Sequence, residues 1–396
     1  MNYEEKSPQK RVLFVITQSE YGGAQRFLYN LVARLGKTKY KIEVAVGAQS
    51  GKEFLSKLTN TIKITRVESL KRDVNFFYDL KAVNDLSKVI IQFQPDVLFM
   101  ISSKAGFVGS LALRKAAHGL KPDKKIIKTI YRIGGWSFND PRSAWKKLIF
   151  IILEKIGAKW KNLIIVNNTR DLEQAKRYNI KPKEGMVMIP NGLDVYKMDF
   201  MPKDEARLKL FESAAKQTGK IFQAKTIIGT IANFYPSKGL TYLIEAAEYF
   251  KNNHEIVFFI IGDGPERPTL EKMIYDKGLG EKIFLFGQIP DAYRYLPAFD
   301  IFVLASIKEG SSWALIEAMA AKLPVIATSV GTASEIIEDD KNGSLIVPSN
   351  SELLAGKIKE NLNNKFKMQE MGIQAHQTIV LKYDLQKMVR QIEEIM

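Results

Sequence analysis

Short, continuous apolar runs alternate along this chain with longer stretches in which apolar residues recur every three or four positions. RVLFVITQ (Arg11–Gln18) reads as a buried strand, and Ala24–Leu35 carries Phe27, Leu28, Leu31, Val32 and Leu35 at helical spacing. Strands follow at Ile42–Val46 and Ile62–Val67, with a short helix near Glu53–Leu58 between them. A helix from about Asn75 to Phe93 leads to strand Val97–Ile101, helix Gly106–Ala117 and strand Ile126–Tyr131. Ser143–Trp160 is a helix candidate. Strand Asn162–Val166, a helix Thr169–Tyr178 that Asp171 helps to start, and strand Met186–Ile189 come next. After a polar stretch to about Gln223 the pattern restarts with strand Thr226–Ala232, helix Lys238–Tyr249 and strand Glu255–Ile261. Strands Ile283–Phe286 and Ala298–Leu304, a helix to about Ala321, strands Leu323–Ala327 and Leu345–Val347 and a final helix pair complete it. Repeated β-α-β units of this length predict an α/β fold of parallel sheets with helices on both faces. Ligands of such sheets bind at the carboxyl ends of the strands.

Composition narrows the class. A length of 396 residues suits two domains of roughly 200 residues each. With 46% hydrophobic and 26% charged residues the chain reads as a soluble globular protein. No apolar run approaches the roughly 18 residues a membrane span needs. The start, MNYEEKSPQKR, lacks an apolar signal region, so a cytoplasmic location is expected. There is no cysteine, which excludes disulfides and thiolate chemistry, and His118, His254 and His376 lie far apart, so no metal site is expected.

Charge is uneven. Residues 1–195 hold 35 Lys and Arg against 17 Asp and Glu, a net of +18, whereas residues 196–396 hold 24 against 26, a net of −2. A basic half implies an anionic partner. The cations are scattered rather than striped, which favours an anionic membrane surface or a phospholipid-linked acceptor over nucleic acid; plain solubility is the other reading. Ser143–Trp160 has a Trp at each end and interleaved Lys, as an interfacial helix would. Its apolar run Leu148–Leu153 is continuous, so it reads first as a buried core helix, with membrane contact the alternative.

Candidate chemistry concentrates in SIKEGSSWALIEAMAAKLPVIAT. Gly310, Ser311 and Ser312 fall at a turn that opens a helix, where free backbone N–H groups favour an anion. Glu309 and Glu317 bracket that turn at eight-residue spacing, roughly 12 Å if the segment were helical. On spacing alone they could be a solvated loop acid and an exposed helix acid. Glu317 sits among Trp313, Leu315, Ile316 and Met319, where an acid needs a partner. Gly22-Gly23, after the first strand, reads by itself as a plain tight turn, though it would also let backbone approach a ligand closely. The loop Tyr131–Arg142 is rich in aromatic and polar groups suited to a sugar, a packed surface loop being the other reading, and Arg132 is a permanent cation. Gly262-Asp263-Gly264-Pro265 is neither a G-x-G-x-x-G fingerprint nor a Walker A loop.

The Glu309–Glu317 segment resembles the E-x7-E signature of retaining glycosyltransferases of the two-Rossmann-domain (GT-B) type, in the large family-4 group, and the resemblance extends over most of the chain. It implies two Rossmann-like domains facing a central cleft. Ile189–Asp194 is similar to the family's interdomain IPNGVD linker, placing an acceptor-binding domain at residues 1–195 and a nucleotide-sugar-binding domain at 196–379. A C-terminal helix, about 380–396, would pack back on the first. Gly22, Gly23, Ala24 and Gln25 match a GGA motif beside the donor diphosphate. Lys238 and Gly239 match GRLxxxKG, whose cations hold that diphosphate; Asn233 replaces the Arg and Ala232 the Gly. The turn Gly262–Pro265 resembles GDGP near the nucleotide base, and Gly331, Thr332 and Glu335 resemble GGxxE.

By the same resemblance Glu309 contacts donor-sugar hydroxyls and Glu317 the ribose, with Gly310, Ser311 and Ser312 at the phosphates. Glu309 and Lys238 are the catalytic pair. Arg132, Gly135 and Trp136 would meet the acceptor, and Gly134 replaces the histidine of an HGWxF pattern, which weakens any general base there. The implied reaction moves a hexosyl or N-acetylhexosaminyl group from a nucleotide diphosphate-sugar to a glycan or lipid-linked acceptor. Retention and the lack of a metal or other cofactor are carried over in the same way. The expected setting is cell-surface polysaccharide, lipopolysaccharide or glycolipid synthesis, on the cytoplasmic side and peripheral to the inner face of the plasma membrane. Two alternatives remain at this level: a sugar-nucleotide epimerase or hydrolase on the same architecture, and a non-catalytic membrane-docked module.

Overall fold

A computed structural model of the chain describes residues 8–18, 22–47, 56, 58, 62–124, 126–140, 143–221 and 224–396. Most of the helix expected near Glu53–Leu58, most of the Ser19–Gly23 turn and the end of the Tyr131–Arg142 loop lie outside them. The inner apolar runs become parallel strands because they are buried on both faces, so every residue rather than every second one must be apolar, whereas the edge strands at Lys63–Val67 and Met186–Met188 are only partly covered. The chain forms two compact units, one of residues up to Asn191 together with Lys387–Met396, the other Gly192–Gln386.

The first unit carries β1 (Lys10–Ile16), α1 (Gly23–Val32), β2 (Tyr40–Gly47), β3 (Lys63–Val67), α2 (Phe76–Phe93), β4 (Val97–Ile101) and α3 (Ser103–Ala116). It continues with β5 (Lys128–Arg132), α4 (Ala144–Ala158), β6 (Leu163–Val166), α5 (Thr169–Arg177) and β7 (Met186–Met188). Its sheet runs β3-β2-β1-β4-β5-β6-β7, with Ile16 opposite Val46 on one side and Ile101 on the other. Side chains cap three of these helices: Asn75 accepts the Tyr78 N–H at 3.1 Å for α2, Ser102 the Ala105 N–H at 3.2 Å for α3, and Asn168 the Asp171 N–H at 2.8 Å for α5. Asn168 is the cap of α5, and Asp171 in the first turn supports the start by accepting from Asn168 Nδ2 at 2.8 Å.

In the second unit lie α6 (Lys203–Thr218), β8 (Thr226–Ile231), α7 (Leu240–Glu248), β9 (Ile256–Ile261), α8 (Arg267–Asp276), β10 (Ile283–Leu285), β11 (Ile301–Leu304) and α9 (Trp313–Ala320). They are followed by β12 (Val325–Thr328), α10 (Ala333–Ile336), β13 (Ser344–Ile346), α11 (Ser351–Leu362) and α12 (Lys365–Lys382), whereas α13 (Leu385–Ile395) belongs from Lys387 onward to the first unit. The sheet order β10-β9-β8-β11-β12-β13 repeats the 3-2-1-4-5-6 order of the doubly wound fold. Alternate residues feed the two faces: Val257, Phe259 and Phe302 enter one apolar cluster, Phe258, Ile260 and Val303 the other. Each such side chain contributes about 1.5–3 kcal/mol by burial. The last ten residues belong to the first unit, where Met388 and Ile392 are buried and Glu393 pairs with Lys39 at 3.2 Å.

Several sequence expectations are corrected. The helix expected at Lys238–Tyr249 begins only at Leu240, after one 3-10 turn, Pro236–Lys238. Gly239 between them takes φ +60°, and a Cβ there would stand 2.2 Å from the Ala305 carbonyl oxygen. Glu309–Ser311 is loop, because α9 starts at Trp313, so helical rise does not set the Glu309–Glu317 separation. The reading of Ser143–Trp160 as a core helix also fails: α4 turns most of its large apolar side chains to solvent.

Candidate functional site

The order of the second sheet reverses between β8 and β11, the place where loops at the strands' carboxyl ends part and leave room for a ligand. Lys238 lies beyond β8 and Glu309 beyond β11, 71 residues apart, and the structure joins them across that point. Lys238 Nζ donates to Glu309 Oε1 at 2.6 Å, and Ser306 Oγ donates to the same oxygen at 2.8 Å. The two side chains are 24% and 9% exposed, so the pair is shielded but reachable. Backbone ties hold the loops in register: Ile307 and Lys308 N–H both donate to the Ser237 carbonyl, at 2.8 and 3.2 Å.

The loop beyond β12 closes on the same place. Thr332 N–H donates to the Gly310 carbonyl at 2.9 Å. Gly331 has φ +52°, and a Cβ on it would stand 2.5 Å from the Gly310 oxygen and 2.6 Å from the Glu309 oxygen. Only glycine fits there. Beyond β9, Phe234 N–H donates to the Asp263 carbonyl at 2.8 Å and Glu266 N–H to the Phe234 carbonyl at 3.0 Å, so the Gly262–Gly264 turn rests on the loop carrying Asn233 and Lys238. Arg267, which sequence reasoning passed over, stands 5.3 Å above the Phe234 ring and donates to Asp263 at 2.8 Å. That guanidinium holds the Asp263 carboxyl below its usual range. Ser306 was also missed; its place three residues before Glu309 is the only signal it leaves in the sequence.

Ser312 caps α9, its Oγ accepting the Leu315 N–H at 3.3 Å. Glu317 is buried one turn further along the helix. The hydroxyls of Ser311 and Thr332 are buried without a hydrogen-bond partner among the described residues. Such orphan groups are uncommon and call for a partner the protein itself does not supply. Asn233 is exposed. Among the described residues no group of three or more His, Cys, Asp or Glu is placed to hold a metal ion.

The first unit has its own reversal, between β1 and β4. Thr17 and Ser102 are hydrogen-bonded across it, and Ser102 adopts φ +104°, a strained value for a residue with a side chain. Gly22 precedes α1 as its N-cap, and Gln25 is held by the Gln18 carbonyl at 2.7 Å. Arg132, at the end of β5, is buried; its Nη2 donates to Asn191 at 2.6 Å and its guanidinium lies 3.7 Å over the Phe27 ring. Burial lowers its pKa to about 9, which leaves it charged at neutral pH, and Nε has no partner among the described residues. Trp136 is corrected. It is fully buried, stacks on Phe138 at 5.5 Å and donates its indole N–H to the Asp171 carbonyl at 2.8 Å, so it packs the loop from beneath and offers no face to an acceptor. Gly135, with φ +108°, makes the turn above it, and Gly134 is exposed with open space around it.

Two family models match the chain, Glycosyl transferases group 1 over residues 212–378 and Glycosyltransferase Family 4 over residues 21–197. The protein is a family-4 glycosyltransferase of the GT-B fold. Curated relatives agree with this glycosyltransferase assignment. The UDP-Gal:alpha-D-GlcNAc-diphosphoundecaprenol alpha-1,3-galactosyltransferase of Escherichia coli is 28% identical over 295 residues, 73% of this chain and 72% of that protein. The poly(ribitol-phosphate) alpha-N-acetylglucosaminyltransferase of Staphylococcus aureus is 36% identical over 172 residues, 43% of this chain but only 35% of that protein. Among solved structures, Anabaena HepE in complex with UDP and glucose superposes with a TM-score of 0.79 at 20% identity, covering 98% of this glycosyltransferase and 99% of that chain. The epimerase, hydrolase and non-catalytic readings receive no support from these matches.

Proposed function

We propose that this glycosyltransferase moves a hexosyl or N-acetylhexosaminyl group from a nucleotide diphosphate-sugar to a glycan or lipid-linked acceptor, with retention, in the synthesis of a cell-surface polysaccharide or glycolipid. The observation that carries the donor half is the Lys238–Glu309 pair at the sheet reversal of the second unit. A cation and a carboxylate side by side suit a ligand with an anionic leaving group joined to a polyhydroxyl ring. On this reading Lys238 and the Gly310–Ser312 amides take the diphosphate and stabilise its departing charge. Glu309 accepts from the sugar hydroxyls, Glu317 from the ribose, and the Gly262–Gly264 turn lies beside the base. The unpartnered hydroxyls of Ser311 and Thr332 are further donors for the same ligand.

Support for the acceptor class comes from the relatives: one is named for a diphosphoundecaprenol-linked sugar, another for poly(ribitol-phosphate). Both are phosphate-bearing. In the first unit Gly22, Gly23, Arg132 and Gly135 are the proposed ligand-side residues. The enzyme would work on the cytoplasmic side, peripheral to the inner face of the plasma membrane. Incubation with a panel of nucleotide-sugars, with and without a lipid-phosphate-linked sugar, tests the proposal by release of free nucleotide. Acceptor-dependent release with one donor is expected; no binding and no release with any donor overturns it.

A further inference from the structure

Helix α4 is built inside out. Trp145, Leu148, Ile149, Ile152, Leu153 and Ile156 fall at i, i+3, i+4, i+7, i+8 and i+11, one face of a helix, and all point to solvent with exposures from 37% to 62%. The stripe is about 16 Å long. The opposite face, turned to the sheet, carries the buried acid Glu154 together with Gly157 and Ala158. Glu154 accepts from the Tyr131 hydroxyl at 3.1 Å, and buried Lys161 lies 4.7 Å from the Tyr131 ring. A Cβ on Gly157 would stand 2.9 Å from Lys161 Nζ. The helix is thus pinned by a polar anchor and cannot roll its apolar side inward without stranding a buried acid.

A second apolar point belongs to the same unit. Phe76 and Phe77, in the first turn of α2, are 71% and 81% exposed. Helix α2 packs on α3 and α3 on α4, and Lys104 of α3 pairs with Asp79 of α2 at 2.6 Å. The N-terminal turns of all three helices therefore lie at the carboxyl-end edge of the sheet, the edge where ligands of such sheets bind. Soluble surfaces seldom leave apolar stripes of this extent uncovered.

We infer that this face docks the enzyme on an anionic lipid bilayer, with α4 lying in the interface and Phe76 and Phe77 as a second insertion point. Charge selects the occupant. Lys146, Lys155 and Lys159 are exposed beside the stripe, and Lys146 Nζ lies 5.3 Å from the Trp145 ring. The only acid on α4 is the buried Glu154. Residues 1–195 carry a net of +18, so a second copy of the chain would meet this face with like charge, whereas anionic headgroups complement it. Lysine stems can cover the apolar edge while their heads reach phosphate. The inference deepens the lipid-linked acceptor reading and rests on it for its biological purpose, though not for its physics.

The test is flotation of the full-length protein with vesicles of phosphatidylcholine alone or mixed with phosphatidylglycerol, at low and high salt. Wild type should float with the anionic vesicles and be released by salt, as screening shortens from about 10 Å at 0.1 M to 3 Å at 1 M. Leu148→Glu with Ile152→Glu should cut the bound fraction by roughly tenfold or more. The milder Ile152→Ser should weaken it, and Leu208→Glu, at an exposed site on α6, should leave it as in wild type. Far-UV circular dichroism and melting verify folding of each variant. Three results overturn the inference: wild type that stays unbound at low salt, a double variant that floats like wild type, or a dimer that the double variant turns to monomer without any flotation. Nucleotide binding without vesicles is measured on the same preparations, so failure of the donor reading and failure of docking are told apart.

Discussion

Replacing Lys238 by methionine keeps the side-chain stem and removes the ammonium, which makes it a clean probe of the donor site. In the unliganded protein that ammonium is held by Glu309 at 2.6 Å, and the carboxylate has Ser306 Oγ as a second donor at 2.8 Å. A diphosphate would draw Lys238 away from Glu309, so binding exchanges one charge-assisted contact for another and leaves the carboxylate for sugar hydroxyls. A hydrogen bond to a charged group contributes about 1.5–3 kcal/mol, which is roughly ten- to a hundredfold in affinity. Calorimetric titration with a nucleoside and with its diphosphate separates the contributions. Lys238→Met should weaken the diphosphate by that factor and leave the nucleoside unchanged. Glu309→Gln should hold or raise diphosphate affinity, since the competing carboxylate charge is gone, while turnover falls. Asn233→Arg has solvent around it and should hold or improve donor binding by restoring a second cation. Lys251→Ala, whose Nζ donates to the Lys277 carbonyl at 2.7 Å, should be neutral. Diphosphate affinity and turnover both intact in Lys238→Met would refute the assignment of this loop to the phosphates.

Glu317→Gln should weaken nucleoside as well as nucleotide binding, because the ribose is its proposed partner; an effect confined to turnover, read by the same titrations, would contradict that role. Gly331→Ala forces a Cβ to about 2.5 Å from the Gly310 and Glu309 carbonyl oxygens at φ +52°, so steady-state assays should show turnover reduced by roughly tenfold or more, and the strain, about 1–3 kcal/mol, should lower the melting temperature by roughly several degrees. Gly134→His has open space for the new ring and should fold like wild type by melting. Lys161 has its pKa lowered to about 8 by burial, offset in part by Glu154. The unfolded lysine, near 10.4, binds the proton more tightly, so stability should rise as pH goes from 8 toward 10, and Lys161→Met should flatten that rise in melts taken across the range.

The apolar runs of β1, β4, β8 and β11 determine their strands without help from the rest of the chain, since a strand buried on both faces has no other composition available. One restart of the β-α-β rhythm announces two sheets, and glycines at Gly239 and Gly331 mark turns that the backbone angles require. Which strands become neighbours is a property of the assembled sheet. It is that order which brings Lys238 to Glu309 across 71 residues and adds Ser306 to the pair, because a hydrogen bond carries no local sequence signal. Trp136 shows the converse. An aromatic residue in a polar loop looks the same whether it faces a sugar or the core, and only packing on Phe138 and the Asp171 carbonyl decides for the core. In α4 the apolar period has a phase, but Phe150 and Ile151 lie away from the stripe, so periodicity does not say which face is buried; the anchor from Glu154 to Tyr131, a contact between a helix and a strand, decides it and leaves the stripe from Trp145 to Ile156 in water.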